Sequence, residues 1–294
     1  MIRSLPKPRR DYPIQLKKQR LPGRSRMTLA LAMVCDNGLM LAADTRISYQ
    51  DGLIAEAPKI TGFQTSNVTG TYIIVHSAQD ANAANSLIGD IQQGLEDNRF
   101  PENLPSIEAT IKNEMQKWYV PIHDARPFIQ LLIGAAIQGQ SRRILYLCEP
   151  PNTVARVYEN YKAIGEGYGI SDPIYKWFED RFPWSPHACL CQISYMMYRA
   201  KKLLPGSIGG NTDVALLTDA PTVPFWINRL DMASAEAYGI NFDRYLSNVA
   251  SVIVGKNPEG VQEILKTAEG VHSCNLLYAR RRFRTQFEHY TITQ

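Results

Sequence analysis

The chain of 294 residues contains no apolar run approaching the ~18 residues that a bilayer-crossing helix requires. Its N-terminus is positively charged, yet the apolar h-region of a secretory signal does not follow. Five cysteines, Cys35, Cys148, Cys189, Cys191 and Cys274, form no even or regularly spaced framework. Free thiols in a reducing, cytoplasmic setting are therefore expected. There is also no internal repeat and no low-complexity tract.

What remains is globular material, 45% hydrophobic and 20% charged, enough for one large core or two small ones. The net charge of +4 conceals an asymmetry. Residues 1–26 hold nine basic side chains against a single acid, Asp11, so this segment carries +8 and the remainder −4. A basic arm can bind nucleic acid or an anionic surface. This one has one aromatic, Tyr12, and four prolines in or beside it, which favours a solvated, disordered leader over nucleic-acid binding.

From Met27 onward the pattern is structured. Thr28–Cys35 and Leu39–Ile47 are strand-like runs joined by Asp36-Asn37-Gly38, a strong hairpin signal, and Asp51-Gly52 marks a further turn. Ile60–Gln64 and Thr71–Ser77 read as two more strands. Helical spacing then appears in Asp80–Asn98 (Ala84, Leu87, Ile88, Ile91, Leu95) and in Pro105–Trp118 (Ile107, Ile111, Met115, Trp118). Phe128–Gln138, Arg143–Glu149 and Ala155–Glu159 return to strand periodicity. Helices are predicted over Asp172–Phe182 and Cys189–Leu204, and strands over Asp213–Leu217 and Val223–Asn228. The tail predicts helices over Ala233–Val254 and from Val261 to about Phe287. Hairpin-joined strands with paired helices argue for antiparallel sheets with helical layers outside, an α+β arrangement. The division expected is a basic leader (1–27), one domain (28–230) and a helical C-terminal elaboration (231–294).

Three short motifs carry more. Thr28-Leu29-Ala30 opens the first strand, Leu41-Ala42-Ala43-Asp44-Thr45-Arg46 ends the second, and Pro58-Lys59-Ile60 opens the next. This resembles the start of β subunits of the 20S proteasome and its bacterial relatives, members of the N-terminal nucleophile (Ntn) hydrolases. His76-Ser77-Ala78-Gln79-Asp80 is similar to the family's Gly-Ser-Ala-Ala-Asp. The resemblance spans about residues 28–228 and implies a four-layer α/β/β/α sandwich. It further implies a threonine-type hydrolase of peptide or amide bonds, with Thr28 as nucleophile and its freed α-amine as base. Lys59 would then favour the alkoxide, Asp44 would pair with Lys59, and the backbone N–H of His76 would face the oxyanion. A homo-oligomeric ring, an unfolded protein or peptide substrate and room for an ATP-dependent unfoldase follow from the same resemblance. Two departures stand out: Glu166 occupies the place of a catalytic-centre serine, and Pro205 and Ile208 replace a supporting aspartate and serine.

Plainer readings stand beside these. Thr28 suits any strand, Asp44 and Lys59 could form a loop ion pair, and His76 could simply end a strand. Gly165-Glu166-Gly167-Tyr168-Gly169 resembles a dinucleotide loop only faintly, since a third glycine would fall at Ile170 and no βαβ pattern surrounds it, so no cofactor is expected. His187-Ala188-Cys189-Leu190-Cys191 lacks a second ligand pair, so no metal is expected. Arg280-Arg281-Arg282-Phe283-Arg284 reads as a solvated helix end or a subunit contact. The catalytic reading also requires cleavage before Thr28, either by translation from Met27 followed by aminopeptidase action or by autocatalytic removal of the leader. The alternatives are a non-catalytic proteasome-like ring subunit and a small-molecule Ntn amidase acting without a ring.

Overall fold

A computed structural model describes residues 28–48, 54–65, 70–97, 104–119, 127–137, 143–179, 184–218 and 223–253. The leader, the Asp51-Gly52 turn, the second tail helix and the Arg280–Arg284 run lie outside the described residues. Among these residues the chain forms two five-stranded antiparallel sheets, a two-stranded ribbon and five helices.

The first sheet has the order β10-β1-β2-β11-β12. It is built from β1 (Leu29–Cys35), β2 (Gly38–Asp44), β10 (Tyr161–Gly165), β11 (Thr212–Thr218) and β12 (Phe225–Trp226). The second has the order β5-β6-β7-β8-β9, from β5 (Ile60–Thr65), β6 (Gly70–Ala78), β7 (Ile129–Ile137), β8 (Ile144–Glu149) and β9 (Thr153–Val157). Strands β1, β2, β6, β7 and β11 are buried along almost their whole length and lack the polar alternation of a half-exposed sheet, because both their faces are covered. In β1, Leu29, Leu31, Met33 and Cys35 join one apolar cluster, while Ala30 and Ala32 join another. In β6, Tyr72 and Ile74 face one way, Ile73 and Val75 the other.

Three apolar clusters result. One packs β1, β2 and β11 against α3 (Tyr168–Glu179) and α4 (Pro186–Leu203), with Met232 of α5 (Arg229–Ile253). A second packs β6, β7 and β8 against α1 (Ala81–Glu96) and α2 (Leu104–Tyr119). The third joins residues of the two sheets to each other. Small residues permit that approach: a Cβ on Gly134 would lie 2.7 Å from a Leu39 side-chain carbon.

The predicted stripe of α1 is buried in full, and Asp80 caps the helix by accepting from the Asn82 and Ala83 N–H groups. In α2, Tyr119 takes the buried place assigned to Trp118, because the 107-111-115 row continues in steps of four. The Tyr119 hydroxyl also accepts the Ile129 N–H at 3.1 Å, tying α2 to β7. The run expected as one strand over Leu39–Ile47 is broken at Thr45. There the N–H turns to Asn211 O (3.0 Å), and the chain continues into a ribbon of β3 (Arg46–Ser48) and β4 (Ile54–Glu56). Strands β4 and β10 carry too little apolar periodicity to stand out in the sequence. Helices α3 and α5 each begin four residues earlier than expected.

Candidate functional site

Thr28 directly precedes β1, Asp44 ends β2 and Lys59 directly precedes β5, so three strand ends from both sheets converge at one end of the stack. The β1–β2 hairpin aligns Ala30 with Ala43, which brings Thr28 and Asp44 to the same edge. All three side chains are buried. Lys59 Nζ donates to Thr28 Oγ1 at 2.9 Å and to Asp44 Oδ1 at 3.1 Å. Asp44 also accepts the Leu29 N–H on Oδ1 (3.1 Å) and the Gly209 N–H on Oδ2 (3.2 Å). A buried carboxylate needs such donors, since isolated ionic charge is costly away from water.

Burial pushes the Asp44 carboxyl up, opposed by the Lys59 charge and the two backbone N–H groups. Burial likewise pushes the Lys59 ammonium down, opposed by Asp44. A lysine so depressed, touching a hydroxyl, can exchange a proton with it more readily than a solvated one.

The fourth expected residue behaves differently. The His76 N–H is already donated to Lys59 O at 3.1 Å, one position beyond the end of the β5–β6 pairing at Ile60 and Val75. An oxyanion at the His76 N–H would have to compete with that bond. Its φ is negative. By strand alternation its imidazole lies on the side of Tyr72 and Ile74, facing the α1–α2 layer. Among the described residues, both ring nitrogens are buried without a hydrogen-bond partner. Burial first, and then the Lys59 charge, push the imidazole from 6.5 down to about 4, so it is neutral.

The departures from the expected pattern have clear positions. Glu166 is exposed in the turn between β10 and α3. Ile208 is buried in the apolar cluster under α4, and the Pro205 carbonyl is taken by Arg46 Nη1. The residue after Ile208, Gly209, donates its backbone N–H to Asp44 Oδ2. Gly165 pairs with Leu29 and has φ +88°, and a Cβ there would run into the Thr28 carbonyl. Leu29 N–H, Gly209 N–H and Gly165 were not read as site elements. The glycines at 165 and 209 were the only signal the sequence offered.

The Gly165–Gly169 segment forms the β10–α3 turn and the first residues of α3. Cys189 is buried on α4, with Sγ near Val34 O and Trp184 O. Among the described residues, no group of His, Cys, Asp or Glu is arranged to hold a metal, and no helix is long and apolar enough to cross a membrane.

Solved structures share this architecture. The fold is that of the Anbu proteins. Anbu from Yersinia bercovieri, described as an ancestral β-subunit, matches with TM-score 0.61 and 16% identity over 75% of this chain and 97% of that one. Anbu from Hyphomicrobium sp. strain MC1 matches with TM-score 0.60 and 16% identity, over 75% and 97%. A helical assembly of the Anbu complex from Pseudomonas aeruginosa matches with TM-score 0.60 and 16% identity, over 76% and 96%. No family model and no curated protein matches. The resemblance to bacterial 20S proteasome β subunits is corrected accordingly: the structural neighbours are Anbu proteins, proteasome-like but distinct. At this identity the likeness to Anbu extends to the fold alone.

Proposed function

We propose that this protein is a threonine-type N-terminal nucleophile hydrolase of peptide or amide bonds, with Thr28 as nucleophile. One observation carries the reading: a buried lysine ammonium lies 2.9 Å from the Thr28 hydroxyl and is itself held by a buried aspartate. Once Thr28 is the first residue, its α-amine (reference pKa about 8) takes the hydroxyl proton. Lys59 stabilises the resulting alkoxide, and the like charge keeps the amine from staying protonated. Thr28 Oγ1 attacks the amide carbonyl, and the C–N bond breaks as the leaving amine takes the proton from the α-ammonium. Water then hydrolyses the ester on Thr28 to release the acid and the free hydroxyl. The division into leader, catalytic domain (28–230) and C-terminal elaboration belongs to this proposal. So does the four-layer α/β/β/α arrangement, which is supported by three separate apolar clusters.

A second reading is a non-catalytic subunit of a homo-oligomeric assembly. It is favoured by the helical assembly of an Anbu relative and by the commitment of the His76 N–H to Lys59. The two are separated by treating the native protein with a threonine-reactive electrophile and mapping the adduct. The hydrolase requires an N-terminus at Thr28 by intact mass and an adduct that Thr28→Ala abolishes. A chain retaining residues 1–27, or labelling unchanged in Thr28→Ala, sinks it. A monomer in size-exclusion chromatography would favour a small-molecule amidase over an assembly.

A further inference from the structure

The Asp44 carboxylate draws its donors from two kinds of place. Leu29 N–H comes from β1, and Lys59 stands at the start of β5, so both are fixed by sheet pairing. The third donor, Gly209 N–H, comes from the irregular segment between α4 and β11, where the side chains at 205 and 208 offer no polar anchor. That segment is tied to the chain just after Asp44 by backbone bonds from Thr45 and Arg46 and, through side chains, by Glu56. This side chain, at the end of β4, accepts on Oε2 both the Thr45 hydroxyl (3.0 Å) and the Asn211 Nδ2 amide (2.8 Å). Thr45 is the residue after Asp44, and its own N–H donates to Asn211 O at 3.0 Å. The adjoining Arg46 N–H donates to Gly209 O at 3.2 Å. Gly210, at φ +68°, has no room for a side chain: a Cβ would lie 2.5 Å from Thr45 Oγ1 and 3.0 Å from the Glu56 carboxyl. Glu56 therefore joins the segment carrying Gly209 to the residue next to Asp44.

We propose that Glu56 is a positioning residue for the Thr28–Lys59–Asp44 site, acting through Thr45 and Asn211 to keep the Gly209 N–H on the Asp44 carboxylate. The inference rests on the hydrolase reading for its functional meaning, and its geometry is independent of it. Without the clamp, Asp44 loses a donor that lowers its pKa, so it takes up a proton at higher pH and releases Lys59. The Thr45 and Asn211 hydrogen bonds hold the Glu56 carboxyl below the ordinary carboxylate range, so the clamp stays ionised at neutral pH.

The test uses the native protein, with whatever N-terminus it carries after expression, and its Glu56→Ala, Glu56→Gln and Asn211→Ala variants. Hydrogen exchange at the Gly209 amide should rise on the order of ten-fold in Glu56→Ala and in Asn211→Ala, the effect of losing about one hydrogen bond. Exchange across residues 29–35 should be unchanged. Glu56→Gln, which keeps an acceptor oxygen, should restore protection. In Glu56→Ala the acid limb of the pH profile for Thr28 acylation should move to higher pH. Unchanged exchange at Gly209 in Glu56→Ala, or Gln as poorly protected as Ala, overturns the proposal. A wild-type protein that never acylates at Thr28 sinks the hydrolase reading, while the exchange comparison still decides whether Glu56 positions Gly209.

Discussion

The two ends of the stacked sheets are held together in opposite ways. At one end Thr28, Asp44 and Lys59 bury their polar groups, and glycines at 165 and 209 let the backbone close over them. At the other end, where β1 turns into β2, the side chain of Arg143 crosses from the second sheet. Its guanidinium donates to the carbonyls of Cys35, Asp36 (2.8 Å) and Gly38 (2.6 Å). The far end is a partly solvated cation on neutral carbonyls. The near end is a desolvated ion pair on a hydroxyl, flanked by a buried imidazole with no partner among the described residues. Shape and solvation make the near end chemically tense and the far end merely structural.

The sharpest way to break this contrast is Lys59→Met. It leaves the Asp44 charge buried with backbone donors only, so stability should fall by about 3–5 kcal/mol, read by urea denaturation. Thr28 acylation should also be lost.

Next comes acid. The folded His76 has a pKa of about 4, below its ordinary 6.5, so between these values the unfolded chain binds a proton that the native state does not. Stability is therefore full above pH 6.5 and declines as pH falls toward 4, by about 3 kcal/mol in total. His76→Leu should remove that share of the pH dependence in denaturation curves taken from pH 7 to 4.5. An unaltered slope would mean that the imidazole has found a partner.

Gly165→Ala should cost about 2 kcal/mol, from positive φ and from the clash with the Thr28 carbonyl, and should impair acylation as well. Gly169→Ala, with open space around it, is the control and should leave thermal unfolding nearly unchanged. The smallest effect belongs to the far end: Arg143→Ala should lose about 1 kcal/mol and leave acylation at Thr28 intact.

Much of the core was legible because burial leaves a period. The five buried positions of α1 stand at helical spacing, and the doubly covered strands read as unbroken apolar runs. Thr28, Asp44 and Lys59 were legible because each stands at a strand end beside a short motif. Glu56, Asn211 and the N–H groups of Leu29 and Gly209 were not. A backbone donor has no residue type to betray it, and Glu56 lies on a three-residue strand with exposed ends. The bond that the His76 N–H makes to Lys59 O is likewise not legible, because a spacing does not tell which hydrogen bond an N–H makes.

By itself the sequence determined most of the strands and helices, and that a threonine, an aspartate and a lysine stand at the ends of particular strands. Local propensity and apolar period act over a few residues, and these are local facts. Only the tertiary structure decided that Lys59 crosses from one sheet to touch Thr28 of the other. It alone decided that the segment at 204–211 supplies a backbone donor to Asp44, and that His76 buries its ring away from polar partners among the described residues. Those outcomes depend on strand order, on register and on which groups are left without water, and no window of neighbouring residues contains them.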